Sequence, residues 1–332
     1  MPEGTGTPVV VGVDGGGTKT DLVVVDATGD VVGRASGGGA NWEGVGVDAV
    51  GVVLGELLDR ALGAAGRDRQ DVAAWVCCLA GVDWPSDPDR LAPVLDRLGV
   101  GGDRLVLNDS FAALRAGTTG PVGCVSIAGT GAVCAGRNAR GEVARTMGVG
   151  IGEGSGAWTI VTGALGAVAE AHHHSGPATA LTDRLLAGAG VADADAFFEG
   201  VTRGTVPVGA DLAPLVIEVA AAGDPVAVEV VRSAGTRHGR DLAGLADRLG
   251  LGTEDVEVVL AGGVHVHGAG DFRDAFCETV LAAVPGARFV VLEAAPVVGA
   301  ALLALELAGW PAEAVRPALA AAVGGATVGG AE

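Results

Sequence analysis

The stretch Asp-Gly-Gly-Gly-Thr-Lys-Thr at residues 14–20 lies between two short β-branched runs, residues 9–14 and 22–26. A connection this short predicts antiparallel neighbouring strands. Its glycines can adopt positive φ angles and approach a ligand closely, and successive backbone N–H groups can converge on an anion. The stretch therefore indicates a hairpin whose tip binds phosphate, although a glycine-rich hairpin without a ligand explains the same residues. A Walker A loop is excluded, because Thr18 stands where that motif needs glycine before the lysine.

The hairpin opens an order of elements that the chain uses twice. Residues 9–117 read as three strands followed by a helix, a strand, a helix, a strand and a last helix from Ser110. Residues 122–307 repeat this order, with a long, interrupted helical stretch at residues 155–249 inserted after the third strand. Two units of similar architecture predict an α/β fold of two domains facing each other across a cleft, with a hinge near residues 115–121.

Length, charge and apolar content restrict the classes of function. The chain has 332 residues, a formal net charge of −19, 49% hydrophobic residues and 18% charged residues. The length fits two domains, and the composition favours packed cores over a disordered chain. The negative charge argues against nucleic-acid and anionic-membrane partners, because both need a basic surface. The single lysine of the chain, Lys19, lies in the hairpin.

The lack of a recognisable targeting segment and the cysteine pattern predict a protein of the reducing cytoplasm. The apolar run at residues 8–13 is too short for a signal peptide, and no run approaches the roughly 18 apolar residues of a membrane span. The five cysteines are odd in number and lack metal-type spacing, so buried free thiols are expected. The adjacent Cys77 and Cys78 are predicted to point to opposite faces of a strand.

Two further glycine-rich turns occur at related places in the second half. Ala-Gly-Thr-Gly-Ala at residues 128–132 follows its first strand, and Ala-Gly-Gly-Val at residues 261–264 follows a later strand and precedes a helix. Each turn is a weak signal alone, since glycine is common in turns. Together with residues 14–20, they indicate a cleft that binds a nucleoside triphosphate, because small residues let a ligand approach the backbone.

A series of short motifs extends these three turns over nearly the whole chain. In order they are DGGGTKT at 14–20, GGGANW at 37–42, LAGVD at 79–83, LNDS at 107–110, GTG at 129–131, GEGSGAW at 152–158, GDP at 223–225, AGGV at 261–264 and PVVGAA at 296–301. In these motifs and their order the chain resembles the actin, hexokinase and heat-shock-70 ATPase superfamily. Within it, the chain is similar to the N-acetylglucosamine kinase family, which is grouped with the benzoyl-CoA reductase activator ATPases.

The resemblance implies two ribonuclease-H-like domains of the actin-like ATPase type, with extra helices inserted in the second. The first domain is then expected at residues 1–117, with the first phosphate loop and the sugar-binding residues. The second is expected at residues 118–310, with the second phosphate loop and the adenosine site. Residues 311–332 would form a C-terminal helix and tail that pack back on the first domain. The family also implies a homodimer.

The resemblance implies a kinase that transfers phosphate from ATP to the 6-hydroxyl of N-acetyl-D-glucosamine. Asp14 would lie near the Mg²⁺ ion, through water, and Asn41 would bind sugar hydroxyls. Asp109 would bind the reactive hydroxyl and act as the general base. The ATP-binding residues would come from two phosphate turns and an adenosine turn, and they are Gly15, Gly16, Gly17, Thr18, Lys19, Gly129, Thr130, Gly131, Gly262 and Gly263.

Asp109 also has support from its position alone. It follows the predicted strand at residues 105–107, and open α/β sheets bind ligands beyond the carboxyl ends of their strands. Phosphoryl transfer depends on positioning and charge stabilisation, with one carboxylate to take the hydroxyl proton. The competing interpretation is that Asp109 only caps the helix that begins at Ser110, although one residue can do both.

One position departs from the family pattern and leaves alternatives open. Gly152 stands where the family usually has a sugar-binding Asp, so Glu153 is the nearby carboxylate left to bind the sugar. Kinases of glucosamine, N-acetylmuramate or glucose stay open, as do a reductase-activating ATPase, for which the cysteines lack a suitable arrangement, and a non-catalytic sugar sensor. The histidines at residues 172–174 favour a solvated helix end, and His265 and His267 lack the carboxylate pattern of a metal site.

Overall fold

The computed structural model describes residues 6–149, 151–154, 156–268 and 270–324. The predicted start of the inserted helical stretch at Ser155 and the end of the predicted tail, residues 325–332, lie outside these ranges. The strands are β1 (Val9–Gly15), β2 (Lys19–Asp26), β3 (Val31–Gly38), β4 (Val72–Leu79), β5 (Asp103–Leu107), β6 (Gly123–Ala128), β7 (Ala132–Arg137), β8 (Val143–Arg145), β9 (Val256–Ala261) and β10 (Ala287–Val291).

The helices follow the strands in the predicted alternation. They are α1 (Trp42–Val45), α2 (Val47–Ala65), α3 (Asp87–Arg97), α4 (Ser110–Gly117), α5 (Ala157–His172), α6 (Ala180–Ala189), α7 (Ala194–Arg203), α8 (Ala213–Ala221), α9 (Pro225–Arg248), α10 (Gly263–Val266), α11 (Gly270–Ala283), α12 (Pro296–Leu307) and α13 (Ala312–Val323). Within the ranges described, no helix combines the length and apolar character needed to cross a bilayer.

Two five-stranded sheets repeat one strand order. The first sheet runs β3-β2-β1-β4-β5, and the second runs β8-β7-β6-β9-β10. In the first, β1 pairs antiparallel with β2 and parallel with β4, while β3 and β5 extend the two sides in the same senses. The first strand of each half is therefore central in its sheet. This arrangement confirms the predicted α/β class and the repeat, with α5 to α9 inserted after the third strand of the second half.

Contacts within the chain divide it into two compact units, which are described separately. The first unit comprises the described residues up to Val125 and those from Val290 onward, and the second comprises Ser126–Phe289. These units are defined by contacts, so the domain boundaries predicted at residues 117 and 310 remain predictions. By contacts, α12 and α13 belong with the first sheet.

The first sheet is covered by helices on both faces, and alternation along β1 decides which residues meet which helices. The odd-numbered valines of β1 pack with leucines of α2 and α3, whereas Val10 packs with α12. Gly12 lets α12 approach closely, because a Cβ there would lie 2.4 Å from the backbone nitrogen of Ala301. The same alternation places the Asp14 side chain on the α12 face, at the carboxyl end of β1.

A buried arginine fastens the C-terminal helices to the first unit. Arg115 is only 2% exposed, and its guanidinium donates to Glu306 Oε1 at 2.7 Å, to Thr118 O at 3.1 Å and to Glu313. Such a buried charge is tolerated because its nitrogens find acceptors. On α13, Val315 packs over Gly29, where a Cβ would lie 2.2 Å from the Val315 Cβ. Arg115 therefore joins the end of α4 to both α12 and α13.

The inserted helices build the core of the second unit. Apolar side chains of α5 to α9 form one buried cluster with Phe272 of α11. The residues at 175–177, 188–190, 204–209 and 223–225 predict four interruptions of the helical stretch, and all four fall at helix ends. Gly190 and Gly204 close α6 and α7 in the left-handed conformation. None of the five cysteines forms a disulfide; four are buried, as expected, and Cys277 is half-buried. Cys77 and Cys78 lie in clusters on opposite faces of the first sheet.

Candidate functional site

The hairpin between β1 and β2 closes over a two-residue tip at residues 17–18. Gly16 N donates to Lys19 O at 2.8 Å, which sets the tip. Two neighbouring loops hold the base of the hairpin, because Ala40 N donates to Gly16 O at 3.0 Å and Ala80 N donates to Gly15 O at 2.8 Å. The loops that follow β3 and β4 therefore fix where this turn lies.

The glycines of this hairpin serve packing and open space, and the expectation that they use positive φ angles is wrong. None of residues 15–17 has a positive φ. A Cβ on Gly15 would lie 2.6 Å from Leu79 Cδ2, whereas one on Gly17 would meet nothing within 4 Å. A Cβ on Gly39 would lie 1.9 Å from Gly17 O. The tip is therefore open beside Gly17, and on its other side it packs against the backbone of Gly39, which has no side chain.

Replacing Gly39 with alanine is expected to displace the hairpin tip, because the new methyl group would overlap the Gly17 carbonyl. We expect a loss of about 2 kcal/mol in the free energy of unfolding and a weaker affinity for nucleotide. The matched control is Gly38→Ala, since a Cβ there meets nothing within 4 Å. Urea unfolding and nucleotide titration of both variants test this, and equal behaviour of the two would contradict it.

A row of polar side chains crosses the first sheet next to the hairpin. Ser36, Asp21, Asp14 and Cys78 occupy paired positions on β3, β2, β1 and β4. Ser36 Oγ donates to Asp21 Oδ1 at 2.5 Å, and Lys19 Nζ lies 2.9 Å from Asp21 Oδ2. The predicted phosphate-binding lysine is thus paired with a carboxylate, and its side chain is 54% exposed.

Asp14 lies in a region with an excess of negative charge. Burial, and then the carboxylates of Asp109 and Asp21, raise the pKa of Asp14 to about 7, and Lys19 offsets only part of this effect. The buried Cys78 thiol has a pKa raised well above its ordinary value by burial and then by Asp14, Cys77 and Asp109. Asp14 and Asp109, far apart in the sequence, therefore come close enough to act on each other and on the same neighbour.

Asp109 follows β5 and stands at the start of α4, and its side chain makes no capping hydrogen bond to that helix. Asn108 does so instead, because its Oδ1 accepts from Ser110 N at 3.0 Å and from Ser110 Oγ at 2.5 Å. Asp109 occupies the N-cap position, but the interpretation that its side chain caps α4 is wrong.

Asn108 also joins two loops at the carboxyl edge of the first sheet. Its Nδ2 donates to Asp83 Oδ1 at 2.9 Å, and the buried Asp87 accepts from the backbone nitrogens of Asp83 at 2.9 Å and Trp84 at 2.7 Å. These bonds fix the start of α4, and with it Asp109, relative to the loop after β4. Sequence reasoning missed Asn108 and Asp83 as site residues, although both stand in the motifs at residues 79–83 and 107–110.

Asn41 lies at the same edge of the sheet. Its Oδ1 accepts from Glu43 N at 3.1 Å and so caps the short helix α1. The neighbouring Trp42 donates from Nε1 to Gly81 O at 2.5 Å, which joins α1 to the loop after β4. Of the predicted site residues in the first unit, Asp14, Lys19, Asn41 and Asp109 all lie at this edge.

In the second unit, the Gly129–Gly131 turn packs against the start of α5. Gly129 N donates to Gly131 O at 2.9 Å, and Gly129 O accepts from Ala157 N at 2.9 Å. A Cβ on Gly156 would lie 2.4 Å from Gly131 O, so only glycine permits this approach. A cavity of about 450 Å³ opens beside the turn. Its lining includes Thr130, Gly131, Ala132, Val149, Gly154 and Trp158.

The two glycines of the turn after β9 have different surroundings. Gly262 has φ +87°, and a Cβ on it would lie 2.4 Å from Ala128 O. Gly263 has open space within 4 Å of where a Cβ would stand. Since Ala128 directly precedes Gly129, the predicted adenosine turn packs against the predicted phosphate turn.

Glu153 is directed into its own loop. It is 8% exposed, and its Oε1 accepts from Val149 N at 2.6 Å. Gly152 has φ +76°, a conformation that residues with a Cβ rarely adopt. The backbone at this position therefore suits glycine better than the aspartate usual in the family.

The two groups of histidines differ in their exposure. Residues 172–174 are exposed at the end of α5, and His172 Nε2 contacts Asp195 Oδ1 at 3.1 Å. His265 is buried and His267 is exposed. Across the ranges described, no group of three or more His, Cys, Asp or Glu side chains is arranged to hold a metal ion.

Known proteins of this architecture match most of the chain. The model of the BadF/BadG/BcrA/BcrD ATPase family matches residues 11–304. An N-acetyl-D-glucosamine kinase of Dictyostelium discoideum is 28% identical over 312 residues, which is 90% of this chain and 98% of that protein. An N-acetylmuramic acid/N-acetylglucosamine kinase of Clostridium acetobutylicum is 26% identical over 262 residues, or 77% and 85%.

Among solved structures, a candidate N-acetylglucosamine kinase of Chromobacterium violaceum has the same fold. It covers 89% of this chain and 98% of its own, at 24% identity and a TM-score of 0.61. The similarity supports the two-sheet architecture described above.

Proposed function

Because this chain belongs to the BadF/BadG/BcrA/BcrD ATPase family, we propose that it is an ATP-dependent amino-sugar kinase that phosphorylates N-acetyl-D-glucosamine at the 6-hydroxyl. The observation that carries the proposal is the placement of Asp109. Asp109 follows β5 at the start of α4, where the side chain of Asn108, and not that of Asp109, accepts from Ser110 N. The names of both relatives, an N-acetylglucosamine kinase and an N-acetylmuramic acid/N-acetylglucosamine kinase, support this choice of acceptor.

In the proposed reaction, Asp109 accepts the proton of the sugar hydroxyl as the hydroxyl oxygen attacks the γ-phosphorus of ATP. The new oxygen–phosphorus bond forms as the bond to the β-phosphate oxygen breaks, and ADP leaves. The open tip at residues 17–18 and the Gly129–Gly131 turn would bind the phosphates through backbone N–H groups. Gly263, with open space beside it, would leave room for adenosine. Asn41 would orient the sugar.

Asp14 is the residue that fits a cation accompanying ATP. Burial, and then the nearby carboxylates of Asp109 and Asp21, raise the pKa of Asp14, so a positive charge there would relieve repulsion. Magnesium is usually held by one or two carboxylates, water and substrate phosphates, and this requirement suits a site without a dedicated ligand cluster. Mg²⁺ would supply neutralisation of the phosphate charge when bound.

A second acceptor, N-acetylmuramate, is favoured by the loop that carries Gly152. The side chains of Met147, Val149 and Ile151 are 46%, 49% and 75% exposed, an unusual concentration of apolar surface in a short loop. Glu153, the one carboxylate predicted to substitute for the missing Asp, is 8% exposed and accepts from Val149 N of its own loop. N-acetylmuramate carries a lactyl ether, whose methyl group would suit the apolar side chains of this loop and whose carboxylate would meet Gly152 where the family usually has an aspartate.

A sugar panel tests the proposed function and separates the two acceptors. With Mg-ATP, ADP release is measured for N-acetylglucosamine, N-acetylmuramate, glucosamine and glucose. We expect kcat/KM for N-acetylglucosamine to exceed that for glucose and glucosamine at least tenfold, an approximate factor typical of one missing substituent contact. A higher value for N-acetylmuramate would select the second acceptor, and no release with any sugar would contradict the kinase proposal.

A further inference from the structure

The second unit contains a buried hydroxyl that lies between two imidazoles. Ser126 Oγ is 2.8 Å from His238 Nε2 and 2.7 Å from His265 Nε2. Ser126 is 0% exposed, and each histidine is 2% exposed. Phe272 and Phe276 pack against both rings, with centroid distances of 4.9 to 6.2 Å. Most of the surrounding groups are apolar, although Cys134 Sγ also lies 3.7 Å from His238 Nε2 and 3.9 Å from His238 Nδ1. The hydrogen bonds of the three polar groups must therefore come mainly from one another.

These residues join the segments that carry the second phosphate turn and the adenosine turn. Ser126 lies in β6, three residues before Gly129, and His265 lies in α10, two residues after Gly263. His238 belongs to α9 and is three residues before Asp241, whose Oδ2 accepts from Gly154 N at 2.7 Å. One buried hydroxyl therefore links two predicted nucleotide-facing turns, and α9 extends the link to the loop around Glu153.

The chemistry of the three groups gives the hydrogen bonds a direction. A serine hydroxyl has one proton, so it donates to one imidazole and accepts from the other. His238 Nδ1 lies 3.9 Å from Asp241 Oδ2, and a carboxylate on that side favours a proton on Nδ1. His238 Nε2 is then the acceptor for the serine proton, and His265 Nε2–H donates to the serine oxygen.

The surroundings of His265 independently give the same direction for these hydrogen bonds. His265 Nδ1 has no hydrogen-bond partner among the described residues, and burial, followed by His238 and Arg273, lowers the pKa of His265 to about 3, so the ring is neutral. An unpaired acceptor is tolerated in a protein interior more often than an unpaired N–H. His265 Nδ1 therefore carries the lone pair, and Nε2 carries the proton.

We propose that Ser126, His238 and His265 are positioning residues for the nucleotide, which act through one directional chain from His265 Nε2–H to Ser126 Oγ and from Ser126 Oγ–H to His238 Nε2. This series of hydrogen bonds sets the distance between the Gly129–Gly131 turn and the Gly262–Gly263 turn. Together these two turns would contact the phosphates and the adenosine. This inference rests on the proposed function for its ligand, while the hydrogen bonds themselves can be measured without turnover.

The proton arrangement is tested by the ¹⁵N spectrum of the histidine-labelled, full-length protein at pH 7.5. We expect the Nδ1–H tautomer for His238 and the Nε2–H tautomer for His265, assigned with His265→Gln. In Asp241→Asn the amide can still accept from Gly154 N but carries no charge, so the preference of His238 for Nδ1–H should weaken. The reverse tautomer of either ring, or a doubly protonated His265, would overturn the proposed chain.

The positioning role is tested by nucleotide affinity. In Ser126→Ala we expect the KM and Kd for ATP to rise about tenfold, with the KM for the sugar and kcat within about twofold, since both imidazoles lose their partner. The matched pair His265→Gln and His265→Leu differs in whether a donor still reaches Ser126, so only the leucine variant should show the loss. Ser233→Ala, exposed on α9, is the control.

Each result of the affinity test decides the role. Unchanged ATP affinity in a folded Ser126→Ala protein, or equal behaviour of the glutamine and leucine variants, would overturn it. If Ser126→Ala does not fold, the His265 pair and the ¹⁵N spectrum carry the test. Failure of the proposed function looks different, because the wild-type protein would then release no ADP with any sugar, whereas ATP binding and the tautomers would still be measurable.

Discussion

Replacing Asp109 with asparagine is expected to lower kcat about 10³-fold while the KM of the sugar stays within about threefold of the wild-type value. Asparagine has nearly the same shape and can still hydrogen-bond a hydroxyl, but it does not accept the proton that leaves as the phosphate is transferred. The start of α4 should be undisturbed, because Asn108 and not Asp109 caps it. Initial rates of ADP release and sugar affinity measured by calorimetry would give the two parameters.

The matched control for this prediction is Asp103→Asn, which removes a carboxylate from the exposed start of β5 in the same unit. It should leave kcat and both KM values near those of the wild type. Turnover of the Asp109→Asn protein within a factor of about five of wild type would sink the assignment of the base. A matching loss in the control would show that the effect comes from charge in general and not from proton transfer.

The order of elements could be predicted because it depends on local residue patterns. β-branched runs separated by short glycine-rich turns predict the β1–β2–β3 meander, and the helical spacing of apolar residues predicts α2 and the inserted helices. Repetition of this order then predicts two sheets of related topology, and the strand orders agree. Helix ends within residues 155–249 were also predictable, since glycine and proline interrupt helices.

The interactions that fix the site could not be predicted from local patterns, because they join residues distant in sequence. The pairing of Asp14 with Asp21 and Cys78 depends on strand register. The bond from Asn108 to Asp83 depends on which loops meet at one edge of the sheet. The glycines of the first hairpin illustrate the same limit. Gly15 is needed for its contact with Leu79 and not for its own torsion angle.

The overall charge and the local charge of the first unit lead to one physical requirement. The chain carries a net charge of −19, and its only lysine is paired with Asp21. Asp14, Asp21 and Asp109 nevertheless lie near one another at the edge where we propose that phosphate binds. Anion binding there needs backbone N–H groups and an accompanying cation, because side chains alone do not supply enough positive charge.

The cost of ionising Asp14 should be visible in the stability of the protein without nucleotide. The pKa of Asp14 is raised from 3.8 to about 7 by burial and by Asp109 and Asp21. Between these pH values the folded protein holds a proton that the unfolded chain has released. The free energy of unfolding contributed by this group therefore falls as the pH rises, by at most about 4 kcal/mol in total.

Asp14→Asn removes this titration, so the comparison of wild type with the variant isolates the contribution of one carboxyl group. We expect the unfolding free energy of the wild type, relative to Asp14→Asn, to fall by about 2.6 kcal/mol between pH 5 and pH 8. The variant should be the more stable protein at pH 8, and its kcat/KM for ATP should be about 100-fold lower, because it lacks the charge that we assign to the cation. Urea unfolding at several pH values gives the first quantity. Mg²⁺ with a non-hydrolysable nucleotide should stabilise the wild type far more than the variant, and a pH-independent stability difference would show that Asp14 ionises without the cost proposed for it.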